Sequence, residues 1–185
     1  GGATMIYSTA KIVISGIEYT SRPLLEDAYG TPPPGIRPLS DFGRVVIGHD
    51  QFTIGDWVLI VQKKLSIGAR SQANAGAKLV GNSELIIGED VVVSYNAVII
   101  TGTDAPEGNF MNDAQPESER AMVRGKVILE DGCFIGAGAV VCVSKKHPEI
   151  RIGKRAVVGA SSYIDKDVAA DTVIHPAYSW SRTRR

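Results

Sequence analysis

The chain has 185 residues, 44% of them hydrophobic, and its 20 Lys+Arg balance 20 Asp+Glu. That length suits one domain or one solenoid, and zero net charge excludes a global basic field for nucleic acid. No apolar run approaches the roughly 18 residues of a membrane span. No positively charged start leads into an apolar stretch, so a cytoplasmic setting without a secretory signal is expected.

Gly1–Thr4 precede the first methionine, and Met5 is the expected native start. Residues 5–20 are β-rich and suit a first, irregular coil. Residues 21–44 are interrupted by Pro23, Pro32, Pro33, Pro34 and Pro38, which punctuate regular structure. Residues 1–44 are therefore expected to be an irregular N-terminal cap.

From Val45 a short unit recurs. Ile47-Gly48, Ile54-Gly55, Ile67-Gly68, Ile87-Gly88, Ile135-Gly136, Ile152-Gly153 and Val158-Gly159 repeat one aliphatic–glycine pair. Self-similarity with a period near six is the mark of a parallel β-helix. Three flat segments joined by tight corners make a triangular coil of about eighteen residues, with the aliphatic side chain pointing inward. Gly, Asn and Asp supply the left-handed backbone that corners need. The expected β-helix domain is 45–176. Residues 105–125 lose the period and form a polar excursion, and long ordered loops are usually functional or mobile. One or two helical turns are expected at most, in Glu117–Val123. Residues 177–185 form a C-terminal tail expected to cover the far end, as solenoid ends must be covered. Cys133 and Cys142, the only cysteines, read as small buried hydrophobes in a reducing compartment.

Two stretches carry a resemblance. KVILEDGCFIGAGAVV (126–141) and IRIGKRAVVGASSYIDKDVAADTVIHPAY (150–178) resemble the closing segment of hexapeptide-repeat acyltransferases, the galactoside and maltose type of sugar O-acetyltransferase. Upstream, ANAGAKLVGNSELIIGEDVVVSYNAVIITGTD (73–104) is similar to the acceptor-side coils of that family. The resemblance implies an all-β, left-handed parallel β-helix and a homotrimer. It also implies acetyl-CoA, as acyl donor, in a groove between adjacent prisms. It puts Ala137 and Ala160 along the pantetheine groove, Asp165 and Lys166 near the far end of CoA, and Arg182 near its phosphate. It puts Asn74, Asn82 and Thr103 on the acceptor side.

The catalytic histidine of the family falls on Asp104. Removing the acceptor's proton suits imidazole, with its pKa near 6.5, better than an ordinary carboxylate near 4. His147 rides on a corner loop longer than the family's, at the same prism edge, one coil away. His147 as base with Asp104 orienting it is one reading; a solvated loop without catalytic role is the other. His49 is expected at a surface corner, and His175 in packing. The three histidines are far apart in register, so no metal is expected.

The expected function is acyl-CoA-dependent O-acetyl transfer to a sugar or sugar-containing acceptor. The alternative is a catalytically degenerate prism acting as a trimeric binding or structural subunit. Neither nucleic acid nor a membrane is an expected partner.

Overall fold

A computed structural model describes residues 58–112 and 114–176 in full, residue 55, and the backbone of short strands between residues 5 and 54. Three sheets of short strands form the faces of a prism. One face stacks Met5–Ile6, Leu59–Ile60, Lys78–Val80, Val98–Ile100, Val140–Cys142 and Tyr163–Ile164. The second stacks Lys11–Ile14, Lys64–Ile67, Glu84–Ile87, Lys126–Leu129 and Glu149–Ile152. The third runs from Phe52–Ile54 through Gln72–Ala73, Val92–Val93, Phe134–Ile135 and Val157–Val158 to Val173–Ile174. Neighbours along these stacks are parallel. The winding is that of a left-handed parallel β-helix, as the resemblance implies.

The inward residues form vertical columns. Leu65, Leu85, Val127 and Ile150 sit in register at full burial, as do Leu79, Ile99 and Val141. Corners repeat as faithfully: Arg70, Asp90, Gly132 and Arg155 occupy one edge with φ of 56°, 57°, 68° and 56°. Two of these are arginines in a conformation that costs L-residues about 1 kcal/mol or more. Their side chains lock onto the next occupied corner, Arg70 on Asp90 and Arg155 on Asp171.

A regular coil holds twenty residues, as between the paired Lys64 and Glu84, rather than eighteen. The additional residues lie at one edge, at Gly81–Asn82–Ser83. The same edge carries the excursion after Thr101 and the loop 143–148, so between Val58 and Pro176 the departures from the period lie on a single edge.

Three local expectations change. Val45–Ile47 pairs antiparallel with Phe52–Ile54, so Ile47 does not belong to a parallel stacked coil. Glu117–Glu119 is a single 3-10 turn, and Ala121–Arg124 is a strand. Val140–Cys142 stacks on Val98–Ile100, and the chain leaves the coil at Gly102 rather than after Asp104. At the N-terminal end, Ile17–Thr20 folds back antiparallel on Lys11–Ile14 and covers that strand's outer edge.

Candidate active site at the irregular edge

The edge is braced from within by a buried polar cluster. Gln62 and Thr101 are 1% and 0% exposed. The Thr101 hydroxyl donates to Gln62 Oε1 at 2.6 Å, and Gln62 Nε2 donates to the Val80 carbonyl at 3.0 Å. The Ser83 hydroxyl donates to the Gly125 carbonyl at 2.5 Å. These bonds fix both roots of the excursion, since Gly125 N–H also donates to the Thr101 carbonyl.

From that base rises a hairpin. Gly102–Ala105 pairs antiparallel with Ala121–Arg124, with Gly102 opposite Arg124 and Asp104 opposite Met122. Side chains alternate across a strand. Gly102, Asp104, Arg120 and Arg124 therefore face one side and Ala105 and Val123 the other. The hairpin is a wall between two cavities. One, of about 720 Å³, is lined by Asn82, Gly102, Thr103, Asp104, Asn112, Arg120 and Arg124, among others. The second, of about 730 Å³, lies between the hairpin and the loop 143–148 and includes Cys142, Ser144, Lys145, Lys146 and Tyr163. Thr103 and Asp104 line both.

Asp104 is clamped. Arg120 Nε donates to its Oδ2 at 3.0 Å, and Arg120 Nη2 reaches Oδ1 at 2.8 Å and Oδ2 at 2.7 Å. The two side chains are 11% and 8% exposed. Planar fork-to-carboxylate contact of this kind is charge-assisted and directional. A carboxylate offers about four lone-pair sites, which leaves capacity for a hydroxyl donor from a bound molecule.

The expected site residues separate. Asn82, Thr103 and Asp104 meet in the first cavity. Asn74 does not join them; it lies at the edge between the third and first faces. Ala137 and Ala160 lie on that second edge too, both exposed, with Ser161 N–H donating to the Ala137 carbonyl. Asp165 and Lys166 follow Tyr163–Ile164 and stand exposed on the irregular edge. His147 lines neither cavity. Its backbone closes the loop, receiving Ser144 N–H at its carbonyl and donating its own N–H to Ser144 Oγ. Within the protomer Asp104 bonds Arg120, because the hairpin returns Arg120 to the carboxylate. Arg182 and His49 lie outside the described residues.

The hairpin arginines and Gln62 are what sequence reading missed. Only the alternation in Ala121–Arg124 hinted at a strand there. Beside the second cavity, burial pushes the Cys142 thiol up, while the Tyr163 hydroxyl bonded to it pulls the other way. Among the described residues, no cluster of His, Cys, Asp or Glu suits a metal ion, and no helix is long and apolar enough to cross a membrane.

The chain resembles hexapeptide-repeat acyltransferases in sequence and in fold. A galactoside O-acetyltransferase from Lactococcus lactis is 29% identical over 113 residues, 60% of this chain and 48% of the relative. The chain thus spans about half the length of that relative. Among solved structures, AntD, an N-acyltransferase from Bacillus cereus in complex with dTDP and 3-hydroxybutyryl-CoA, superposes with a TM-score of 0.59 at 24% identity. That match covers 65% of this chain and 62% of AntD. An AntD variant bound to dTDP-4-amino-4,6-dideoxyglucose and coenzyme A gives 0.60 at 24% identity, over 72% and 71% of the two chains. This likeness concerns the fold. No protein-family model matches the sequence.

Proposed function

We propose that the chain is an acyl-CoA-dependent transferase, an O-acetyltransferase using acetyl-CoA on a sugar or sugar-containing acceptor. The observation that carries this reading is the divided edge: a buried Asp104–Arg120 pair in a wall between two cavities, on a prism similar to known acyltransferases. The acceptor enters the first cavity against Asn82, Thr103 and Asp104. Asp104, held by Arg120, accepts a hydrogen bond from the acceptor and orients it. The donor lies along a groove between protomers of a homotrimer. There the small, exposed Ala137 and Ala160 of a neighbouring protomer, set against the irregular edge, leave the backbone open to pantetheine, and Lys166 meets the far end of CoA.

In the reaction the acceptor oxygen attacks the thioester carbonyl. The new C–O bond forms, the C–S bond breaks, and the hydroxyl proton passes through a base to the departing sulfur. His147 of an adjacent protomer is the base in this scheme, since within one protomer it lines neither cavity. Positioning two substrates supplies most of the rate. The test is acetyl transfer from acetyl-CoA to a panel of hexosides, followed by thiol release, with His147→Ala beside wild type. Turnover that falls at least about a hundredfold in the variant supports the scheme. Full turnover in the variant removes His147, and failure of wild type to bind acetyl-CoA removes the function.

A further inference from the structure

Among the described residues of the first cavity stand two arginines, Arg120 and Arg124, and one carboxylate, Asp104. Of the arginines whose side chains are described, Arg70, Arg120, Arg151 and Arg155 each bond a carboxylate. Arg124 does not. Among the described residues its polar contacts are weak: Nη1 at 3.4 Å from the Val123 carbonyl and Nη2 at 3.9 Å from Met122 Sδ. It is nonetheless held in place. It ends the strand that forms the wall, opposite Gly102. Its Nη1 lies 3.1 Å from where a Cβ on Gly102 would stand, so the guanidinium lies close over Gly102, which lines the same cavity.

The only carboxylate among the described residues of that cavity is Asp104, already matched by Arg120. Asn82 and Asn112 add neutral amides. An arginine fork offering paired donors, next to a carboxylate that takes a hydroxyl, fits a molecule with both a hydroxyl and an anionic group. We propose that Arg124 is a specificity-determining residue and that the acceptor is an anionic saccharide, carrying phosphate or carboxylate near the acetylated position. This rests on the acceptor reading of the first cavity. Arg124 is exposed, so its attraction is weakened by salt.

The experiment measures binding of glucose 1-phosphate, glucuronate and methyl glucoside by calorimetry at low and high salt, to wild type, Arg124→Gln and Arg124→Lys. At least about tenfold tighter binding of an anionic probe by wild type is expected, erased in Arg124→Gln, partly kept in Arg124→Lys, and reduced by salt. The tighter of the two anionic probes identifies the group as phosphate or carboxylate. Equal binding of all three by wild type, or a preference that survives Arg124→Gln, overturns the proposal. Calorimetry with acetyl-CoA runs beside it. Loss of that signal alone defeats the transferase reading and leaves the acceptor ratio to decide Arg124.

Discussion

Asp104 and Arg120, sixteen residues apart, close the excursion into a rigid wall through hydrogen bonds of 2.7–3.0 Å. Breaking a buried ion pair by removing one partner leaves an uncompensated charge, whereas apolar replacement of both is often neutral. Asp104→Ala is therefore expected to cost about 3 kcal/mol, while the double change Asp104→Leu with Arg120→Met recovers most of it. Activity recovers in neither, falling by about a hundredfold in kcat/KM when the orienting acceptor is lost. Denaturant titration and steady-state kinetics on the same variants separate the two effects.

The Thr101–Gln62 bond under the hairpin makes a different prediction. Thr101→Val keeps the shape and removes the 2.6 Å bond between the Thr101 hydroxyl and Gln62 Oε1. A stability loss of about 1 kcal/mol is expected for the removal of one buried hydrogen bond. Because the bond anchors the wall rather than touching substrate, the acceptor KM is expected to rise while acetyl-CoA binding stays unchanged.

Gly81 and Gly102 stack where the chain leaves the coil. Gly81 has φ of 120°, and a Cβ there would meet the Gly102 amide. Gly81→Ala is expected to destabilise by about 3 kcal/mol through strain and collision together. Gly132, at φ of 68°, would meet only the Arg155 Cγ at 3.5 Å, so Gly132→Ala is expected to cost about 1 kcal/mol. Thermal melts of the two variants test the ordering.

Alkaline stability follows from the thiols. Burial pushes Cys133 from an ordinary 9.0 up to about 12, and burial also raises Cys142 and Tyr163. A group held protonated in the fold adds stability that is complete below its unfolded pKa and drains away as pH climbs toward the folded value. Stability is therefore expected to fall from about pH 9 upward, and Cys133→Ala to flatten that slope while lowering the baseline by about 1 kcal/mol. In the native state a disulfide reagent at neutral pH is expected to spare Cys133, since the thiolate is the reactive form. Denaturant curves at pH 7.5 and 10.5 and a thiol count check both statements.

The prism was legible because its inward residues repeat without interruption: Leu65, Leu85, Val127 and Ile150 have no role except to fill a column. The site was legible only where it lay close to those columns, at Asn82, Thr103 and Asp104. Asn74 stands on another edge of the protomer, because a hexad marks a corner without saying which of three edges holds it. The additional residues at Gly81–Ser83 shift that count further. Arg120 and Arg124 left no periodic signal, since a hairpin pair is fixed by strand register and not by the six-residue unit. Ile47 misled in the opposite sense, having the unit's chemistry in an antiparallel strand pair.

The central claim is that the wall at Thr103–Asp104 separates acceptor from acyl donor. A crystal structure with coenzyme A and a saccharide bound tests it most directly. The account predicts the sulfur in the second cavity and a hydroxyl next to the attacking one hydrogen-bonded to Asp104, with the reacting atoms meeting at the wall about 3–4 Å apart. Coenzyme A bound away from this edge, or a saccharide absent from the Asp104–Arg124 cavity, would contradict it.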